Sequence, residues 1–331
     1  MSERPIILDG ALGTELERRG FAARLPLWSA WALIEAPELV HTIHQDYIES
    51  GAQVVTACTF RTTRYTLAKV GMANRAEELT RLAVQLATPP YPPREQGGQT
   101  SFPPLTGGSR GVVVGGLSGG GIEESEAGSL HPSSLILHPV RVAASLAPLE
   151  DCYRPDLRPP DEVLLREHAH TARMLRDAGA DLILVETQNS AREAQIATEM
   201  TLNMGLPVWT SLMPRSATEM FNGDSLADTA LTCFALGVEA ILVNCCPPDL
   251  AEAAFRTLRE AVPPGEVKLG AYPNFRAPEG KPWDFSALLS PDEFTDWGQH
   301  MADLGADILG GCCGTTPEHI AALARKLRAD N

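Results

Sequence analysis

The sequence has few positive charges: 27 Lys and Arg residues stand against 42 Asp and Glu, so the formal net charge is −15. This balance argues against nucleic acid and against an anionic membrane as partners, because both attract basic surfaces. No run approaches the roughly 18 uninterrupted apolar residues that a membrane-spanning helix needs. The N-terminus also lacks the apolar region of a secretory signal. We therefore expect a cytoplasmic protein with small-molecule substrates, and a homo-oligomer is left open.

The Gly-rich motifs that hold phosphate groups are also missing. Residues 115–121 have the composition of such a loop, but no Lys followed by Ser or Thr comes after them. Residues 10–14, Gly-Ala-Leu-Gly-Thr, do not match the Gly-x-Gly-x-x-Gly pattern of a dinucleotide-binding fold. The sequence therefore does not favour a nucleotide site.

One segment differs in composition from the rest of the chain. From about residue 89 to residue 138, Pro, Gly, Ser and Gln are frequent. Such a segment buries too little apolar surface to offset the conformational entropy that ordering costs. We predict a low-complexity, largely disordered surface insertion at about 89–138, with 112–114 as its only strand-like piece.

Short apolar runs alternate with helical periodicity over the remainder of the 331 residues. The predicted strands cover 5–9, 52–57, 140–145, 181–186, 207–211, 240–245, 268–273 and 306–311. The predicted helices cover about 29–50, 74–88, 161–178, 190–203, 225–236, 249–261, 291–304 and 317–329. Eight strand–helix pairs are the number in a (β/α)₈ TIM barrel. We predict an α/β protein with one such barrel over 1–331, interrupted by the insertion. A doubly wound sheet is the alternative, although it would usually carry a Gly-rich turn after its first strand.

The seven cysteines favour metal binding, catalysis or packing over disulfides, because the expected compartment is reducing. Four of them form two adjacent pairs at predicted strand ends, Cys245-Cys246 and Cys312-Cys313. Active sites of barrels lie at these ends, and strands six and eight are near neighbours. We predict that Cys245, Cys312 and Cys313 hold Zn²⁺ through three thiolates and leave its fourth position open. Buried structural cysteines are the alternative, and for Cys246 we expect packing.

A three-thiolate zinc centre favours a particular chemistry. It carries a net negative charge, which suits an incoming thiol better than a carbonyl group. Zinc would lower the pKa of that thiol from about 8.5 and keep its sulfur nucleophilic. Glycines at 310, 311 and 314 would let the backbone bend so that both neighbouring sulfurs reach one ion. The pattern predicts alkylation of a thiol by a soft electrophile, and methyl transfer is the simplest case.

Carboxylates and hydroxyls occur at other predicted strand ends. Asp9 and Glu186 have the right charge to hold the ammonium group of a thiol amino acid. Asp9 could instead stabilise a turn, and Glu186 could cap a helix or lie at the rim of the barrel. Thr59 and Ser145 could hold the substrate carboxylate or cap strand ends. For His168, within a predicted helix, we expect a solvated or hydrogen-bonded helix face.

Together these motifs resemble the homocysteine S-methyltransferase family. The resemblance runs from about residue 5 to residue 330, broken only by the insertion. Its most specific part is the double-Gly, double-Cys motif combined with a distant Asn-Cys pair. The matching segments are Asp9–Glu15, Glu186-Thr187, Asn244-Cys245, Tyr272–Asn274 and Gly310–Pro317.

The resemblance implies a zinc-bearing barrel that methylates homocysteine to methionine, a step of methionine biosynthesis. The zinc ligands would be Cys245, Cys312 and Cys313, and the homocysteine ammonium would be held by Asp9 and Glu186. The donor would be an onium compound: S-methylmethionine, S-adenosylmethionine or betaine. A subunit that receives methyl groups from a corrinoid protein and a non-catalytic zinc-binding paralogue are alternatives.

The chain departs from the family pattern in three places. Ala144–Pro148 replaces the usual Gly-Ser-x-Gly-Pro, and Phe275-Arg276 replaces the small residues that usually follow Tyr-Pro-Asn. Cys58 stands where a polar or aromatic residue is common. These changes leave the zinc motif intact and leave the donor open.

Overall fold

The computed structural model describes residues 4–89, 140–274 and 289–329. Within them, eight strands form one parallel sheet: β1 (Ile6–Ile7), β2 (Val54–Ala57), β3 (Arg141–Leu146), β4 (Leu182–Gln188), β5 (Val208–Leu212), β6 (Ala240–Asn244), β7 (Lys268–Tyr272) and β8 (Ile308–Leu309). The sheet order is β1-β8-β7-β6-β5-β4-β3-β2. Leu8 and Val54 form a parallel bridge, and the Asp9 backbone N–H donates to the Val54 carbonyl at 3.0 Å. These contacts join the two outer strands, so the sheet closes into a barrel.

Helices alternate with these strands. In the described ranges they are α1 (Leu12–Arg18), α2 (Ala32–Glu35), α3 (Pro37–Glu49), α4 (Arg64–Ala68), α5 (Ala76–Ala87), α6 (Asp161–Asp177), α7 (Ala191–Leu202), α8 (Leu226–Leu236), α9 (Pro248–Ala261), α10 (Pro291–Asp303) and α11 (Pro317–Ala329). Consecutive helices α6 to α9 pack on one another, and so do α10 and α11. The architecture is the predicted (β/α)₈ TIM barrel, and the doubly wound alternative is excluded.

Burial explains why the strands read as nearly continuous apolar runs. Every residue of β4, β5 and β6 is buried, because side chains on one strand face fill the barrel while those on the other face the helices. Leu8, Leu184, Trp209, Leu242 and Ile308, from five different strands or strand ends, belong to one buried cluster. This core holds the strand ends in fixed positions relative to one another.

The predicted element boundaries agree with the structure to within a few residues, with three exceptions. Helices α1 and α4 were not predicted, because seven and five residues are too short to show helical periodicity. The predicted helix at 29–50 is divided into a 3₁₀ turn, α2 and α3, with the last beginning at Pro37.

Ser290 caps α10 with the reciprocal Ser–Glu hydrogen bonds of a capping box.

Some predictions concern other parts of the chain. Residues 90–139 and 275–288 lie outside the described residues. The predicted insertion, with its strand-like piece at 112–114, therefore stays a prediction. Phe275 and Arg276, which depart from the family pattern, lie outside the described residues as well. In the part of the chain that is described, no helix is long and apolar enough to cross a bilayer.

Candidate active site

A cavity of about 400 Å³ lies at the carboxyl ends of the strands. This is the end at which barrel enzymes carry their active sites. Six of the seven predicted site residues line it, namely Asp9, Ser145, Glu186, Cys245, Cys312 and Cys313. Thr59, the seventh, is absent from its lining. Closure of the barrel therefore brings together side chains at or just after the carboxyl ends of β1, β3, β4, β6 and β8.

The three predicted zinc ligands contact one another. Cys312 and Cys313 each form side-chain hydrogen bonds with Cys245 and with each other. Hydrogen bonding to Cys245 is the largest cause that raises the pKa of both thiols well above the ordinary value. Among the described residues, however, no three His, Cys, Asp or Glu side chains have the arrangement of a formed metal site. Three thiols in contact are nevertheless a donor set that suits zinc, since each S–H···S bond can give way to a metal–sulfur bond.

Two neighbouring side chains hold the Cys245 sulfur from other elements. The Tyr153 hydroxyl lies 3.2 Å from Cys245 Sγ, and Asn274 Nδ2 donates to the same sulfur at 3.5 Å. Asn274 belongs to the Tyr-Pro-Asn motif, so the sequence indicated it. Tyr153 was missed, because it lies in the irregular segment after β3, where no periodicity or motif marks it.

Non-glycine residues with positive φ mark the cavity wall. In the described residues these are Trp28 (φ 45°), Thr187 (φ 57°) and Cys245 (φ 58°), and all three line the cavity. Such backbone conformations cost roughly 1–3 kcal/mol each and persist only where surrounding contacts enforce them. Strain that is concentrated at one cavity indicates a functional site.

Asn244 supplies part of that enforcement. Its Oδ1 accepts from the Thr187 backbone N–H at 3.2 Å and from the Ser211 hydroxyl at 2.8 Å. Its Nδ2 donates to the Thr187 hydroxyl at 2.9 Å. The buried amide therefore ties the end of β6 to the ends of β4 and β5, which explains the Asn that precedes Cys245.

The glycines around the cysteine pair have two different roles. Gly314 has φ +90°, a conformation that L side chains rarely adopt. Gly310 and Gly311 lack positive φ, but a Cβ on Gly311 would overlap the Thr315 side chain. A Cβ on Gly310 would come within 2.5 Å of Leu8 Cβ. The sequence predicted backbone freedom at all three positions, whereas 310 and 311 require close packing.

Asp9 and Glu186 are buried carboxylates in the cavity wall. Asp9 accepts from the Thr56 backbone N–H at 2.7 Å and from the Thr56 hydroxyl at 3.0 Å. Glu186 accepts from the Ser145 hydroxyl and from the Tyr272 hydroxyl, the latter at 3.2 Å. Burial raises the pKa of each carboxyl to about 7, and the charge of Glu186 adds to the rise at Asp9. Two carboxylates without a described cationic partner suit a bound ammonium group.

The two predicted hydroxyl residues have different surroundings. Ser145 lines the cavity, and its hydroxyl donates to Glu186. The Thr59 hydroxyl donates to the Ser145 carbonyl at 2.8 Å, which links the segment after β2 to β3. That either residue contacts a substrate carboxylate stays a prediction. The hydroxyl of Thr59 faces the backbone of β3.

His168 lies outside the cavity wall and is buried rather than solvated. Its Nε2 lies 3.0 Å from Glu193 Oε1, and that oxygen accepts the Leu149 backbone N–H at 2.9 Å. Of the two alternatives predicted for His168, the hydrogen-bonded helix face is therefore the one that the structure has. The pair connects α6 and α7 to the segment after β3 that carries Tyr153.

The chain is similar to known proteins over nearly its whole length. A family model described as homocysteine S-methyltransferase matches residues 6–327. Homocysteine S-methyltransferase 3 of Zea mays is 30% identical over 97% of this chain and 90% of that protein. Selenocysteine Se-methyltransferase of Brassica oleracea var. italica is 28% identical over 97% of this chain and 88% of its own length. The metallated form of the homocysteine methyltransferase MmuM from Escherichia coli has a TM-score of 0.73 and 25% identity, covering 98% of this chain and 96% of that one. The chain therefore belongs to the homocysteine S-methyltransferase family and is, by that membership, a methyltransferase.

Proposed function

We propose that the protein transfers a methyl group from an onium donor to the sulfur of homocysteine, giving methionine, with Zn²⁺ held by Cys245, Cys312 and Cys313. The observation that carries the proposal is that three mutually contacting thiols and two buried carboxylates line one cavity. These groups match the two ends of a thiol amino acid. Family membership supports the reaction, and the metallated form of the Escherichia coli relative supports a bound metal.

The carboxylates would bind the ammonium group of homocysteine. With that cation between them, the pKa of Asp9 and of Glu186 would fall from about 7, and both would be ionised at neutral pH. Ser145 and Tyr272 orient the Glu186 carboxylate, and Thr56 orients that of Asp9. Binding of the amino acid would therefore relieve the repulsion between the two acids.

The thiols would bind the metal at the opposite end of the amino acid. Zinc held there would lower the pKa of an approaching thiol, so that the thiolate is available near neutral pH. The chain itself contributes by placing the three sulfurs beside one another. Asn274 and Tyr153 contact the Cys245 sulfur, and the glycines around Cys312 and Cys313 allow the tight turn.

Aromatic rings would receive the donor. Trp28, Phe60 and Tyr153 line the same cavity, and the faces of such rings stabilise onium cations. The homocysteine sulfur would attack the methyl carbon, while the bond from that carbon to the donor sulfur or nitrogen breaks. The electron pair stays with the donor, which leaves as a neutral thioether or amine.

The proposal is tested by assay of the purified protein with homocysteine and each donor in turn. Methionine, measured by mass spectrometry, should form with at least one of S-methylmethionine, S-adenosylmethionine and betaine, and a chelator should abolish it until zinc is added back. Cys312→Ala should lose zinc and activity but stay folded, because Cys312 is only partly buried and lies at the edge of the core. The matched control Cys233→Ala removes a buried thiol on α8, away from the cavity lining, and should retain zinc.

Three outcomes would contradict the proposal. Full activity of Cys312→Ala would refute its role as a ligand. Stoichiometric zinc without turnover on any donor would favour the non-catalytic zinc-binding paralogue. Methionine formed only with a methylated corrinoid protein would favour the alternative of a corrinoid-dependent subunit.

A further inference from the structure

Two arginines line the cavity, and only one of them forms an ion pair with a carboxylate in the described part of the chain. Arg24 forms an ion pair with Glu35, and its guanidinium carbon lies 4.3 Å from the ring centroid of Trp31. Arg61 has no ion pair with any carboxylate in the described part of the chain. Its exposed fraction is only 6%, so water has little access to its charge.

The contacts of Arg61 fix the guanidinium without neutralising it. Nη1 donates to the Glu150 carbonyl at 3.1 Å, and the guanidinium carbon lies 5.1 Å from the ring centroid of Phe60. Nε is buried and has no hydrogen-bond partner. A buried cation with an unused donor is costly unless an anion completes its surroundings. The positively charged guanidinium of Arg61 therefore lies at the cavity wall without a paired carboxylate.

The acidic side chains next to Arg61 are already engaged elsewhere. The Glu150 carboxylate accepts from the Tyr65 hydroxyl at 2.7 Å and from Lys69 Nζ at 2.5 Å. Asp151 Oδ1 accepts the Tyr153 backbone N–H at 2.9 Å. Neither carboxylate forms an ion pair with Arg61, so a ligand anion can take that place.

We propose that Arg61 binds the carboxylate of the methyl donor, so that the enzyme selects onium compounds that carry a carboxylate. The inference rests on the proposed methyl transfer and adds the residue that holds the donor carboxylate. The planar fork of a guanidinium matches a carboxylate through two parallel hydrogen bonds. An onium carboxylate would thus present its cation to the aromatic rings and its anion to Arg61.

The carboxylate of homocysteine is the other anion in the reaction, and the electrostatics disfavour it as the partner of Arg61. It is attached to the same carbon as the ammonium group, so it must lie beside Asp9 and Glu186. The pKa of Glu186 is set by burial, Ser145, Tyr272 and Cys245, without a contribution from Arg61. The Arg61 charge instead lowers the pKa of Glu150 and opposes the rise at Cys152. Arg61 therefore acts on the segment after β3, apart from Glu186.

The test compares two donors in the zinc-loaded enzyme with homocysteine as acceptor. S-methylmethionine carries a carboxylate, and trimethylsulfonium does not. Arg61→Gln should raise KM for S-methylmethionine roughly 10- to 100-fold, the loss expected for a charged hydrogen-bonded pair. It should leave KM for homocysteine and kcat/KM for trimethylsulfonium nearly unchanged. Arg61→Lys, which keeps the charge but loses the fork, should give an intermediate KM.

Arg64→Gln is the matched control, because it removes an exposed arginine that pairs with Glu167 outside the cavity lining. It should leave both donors unaffected. An equal loss with both donors would mean that Arg61 has a structural role, and a rise in KM for homocysteine alone would assign it to the acceptor. Either result overturns the inference, as does an Arg61→Gln enzyme with unchanged KM for S-methylmethionine.

A binding measurement separates this inference from the proposed function. Isothermal titration of S-methylmethionine and of betaine into the protein detects binding without turnover. Wild-type binding that is lost in Arg61→Gln supports the carboxylate site even if no methionine forms on any donor, in which case only the proposed reaction fails. If wild type binds neither compound, the carboxylate site is refuted. It is also refuted if the variant binds them as tightly as wild type does.

Discussion

Asp9 and Glu186 are ionisable side chains that destabilise the ligand-free fold. Burial raises the pKa of both carboxyl groups to about 7, from ordinary values of 3.8 and 4.5. At pH values between the ordinary and the raised pKa, the folded protein therefore keeps protons that the unfolded chain has already released. By linkage, stability is lost as the pH rises from the unfolded pKa towards the folded one. Residues that cost stability in this way are retained where a ligand supplies the missing charge.

Glu186→Gln tests this cost. Between pH 5 and pH 8 the folded wild-type protein binds more protons than the unfolded chain, so its free energy of unfolding should fall as the pH rises. The variant lacks this charge and should be more stable than wild type at pH 8, by on the order of 3 kcal/mol. At pH 5 the two proteins should differ much less. Urea denaturation of the ligand-free proteins at both pH values measures the difference.

The control is Glu266→Gln, which removes an exposed carboxylate in the loop after α9. It should follow the pH dependence of the wild type. If Glu186→Gln did so as well, the buried carboxylate would not be the source of the destabilisation. Homocysteine should also stabilise wild type at pH 8 more than it stabilises Glu186→Gln.

Among the elements, the turn after β8 is held in place by its neighbours. The Gly311 N–H donates to the Asp9 carbonyl at 3.1 Å, and the Cys312 N–H donates to the Pro273 carbonyl at 2.7 Å. The Thr315 hydroxyl donates to the Cys312 carbonyl at 2.7 Å and occupies the space beside Gly311. The ends of β1 and β7 thus hold the backbone that carries the cysteine pair.

Gly311→Ala should disturb this turn. The new methyl group would overlap the Thr315 side chain, so either the turn or Thr315 must move. We expect zinc affinity to fall about 10- to 100-fold, as is typical when a group that supports a metal ligand is displaced. Competition with a chromophoric chelator measures the affinity.

Gly265→Ala provides the comparison for this variant. Gly265 has φ +78° and open space around it, in the loop between α9 and β7. The change should lower the melting temperature slightly through backbone strain and leave zinc affinity intact. Equal zinc affinity in Gly311→Ala and wild type would show that the turn tolerates a side chain.

At the scale of the whole molecule, the two ends of the chain build the site together. The outer strands β1 and β2 close the barrel, and β8 lies beside β1. The Gly314 N–H donates to Thr14 Oγ1 at 2.9 Å, which joins the turn after β8 to α1. Every predicted site residue comes from the barrel, and none comes from the low-complexity segment.

Deletion of residues 95–136, with a short linker in their place, should therefore leave the fold and most of the activity. The segment is poor in apolar residues, so its removal takes little buried surface from the protein. Thermal unfolding followed by circular dichroism, together with methionine formation, checks both expectations. A folded but inactive product would mean that the segment forms part of the site.

The fold was predictable because its signals are local. Alternating apolar runs and helical periodicity identify the strands and the longer helices, and the number of pairs indicates the barrel. The short α1 and α4 carry no such signal. The predicted zinc ligands Cys245, Cys312 and Cys313 belong to motifs at strand ends. Tyr153 and Arg61 lie in irregular segments whose course depends on distant contacts.

By itself, the sequence determined the order of the elements and the soft, sulfur-rich chemistry available at the ends of β6 and β8. Only the tertiary structure decided which side chains meet. Contact of Tyr153 with the Cys245 sulfur, burial of Asp9 and Glu186, and the unpaired charge of Arg61 all require the barrel to close. The reason is physical: spacing along a chain reports local periodicity, whereas desolvation and ion pairing depend on residues that are far apart in sequence.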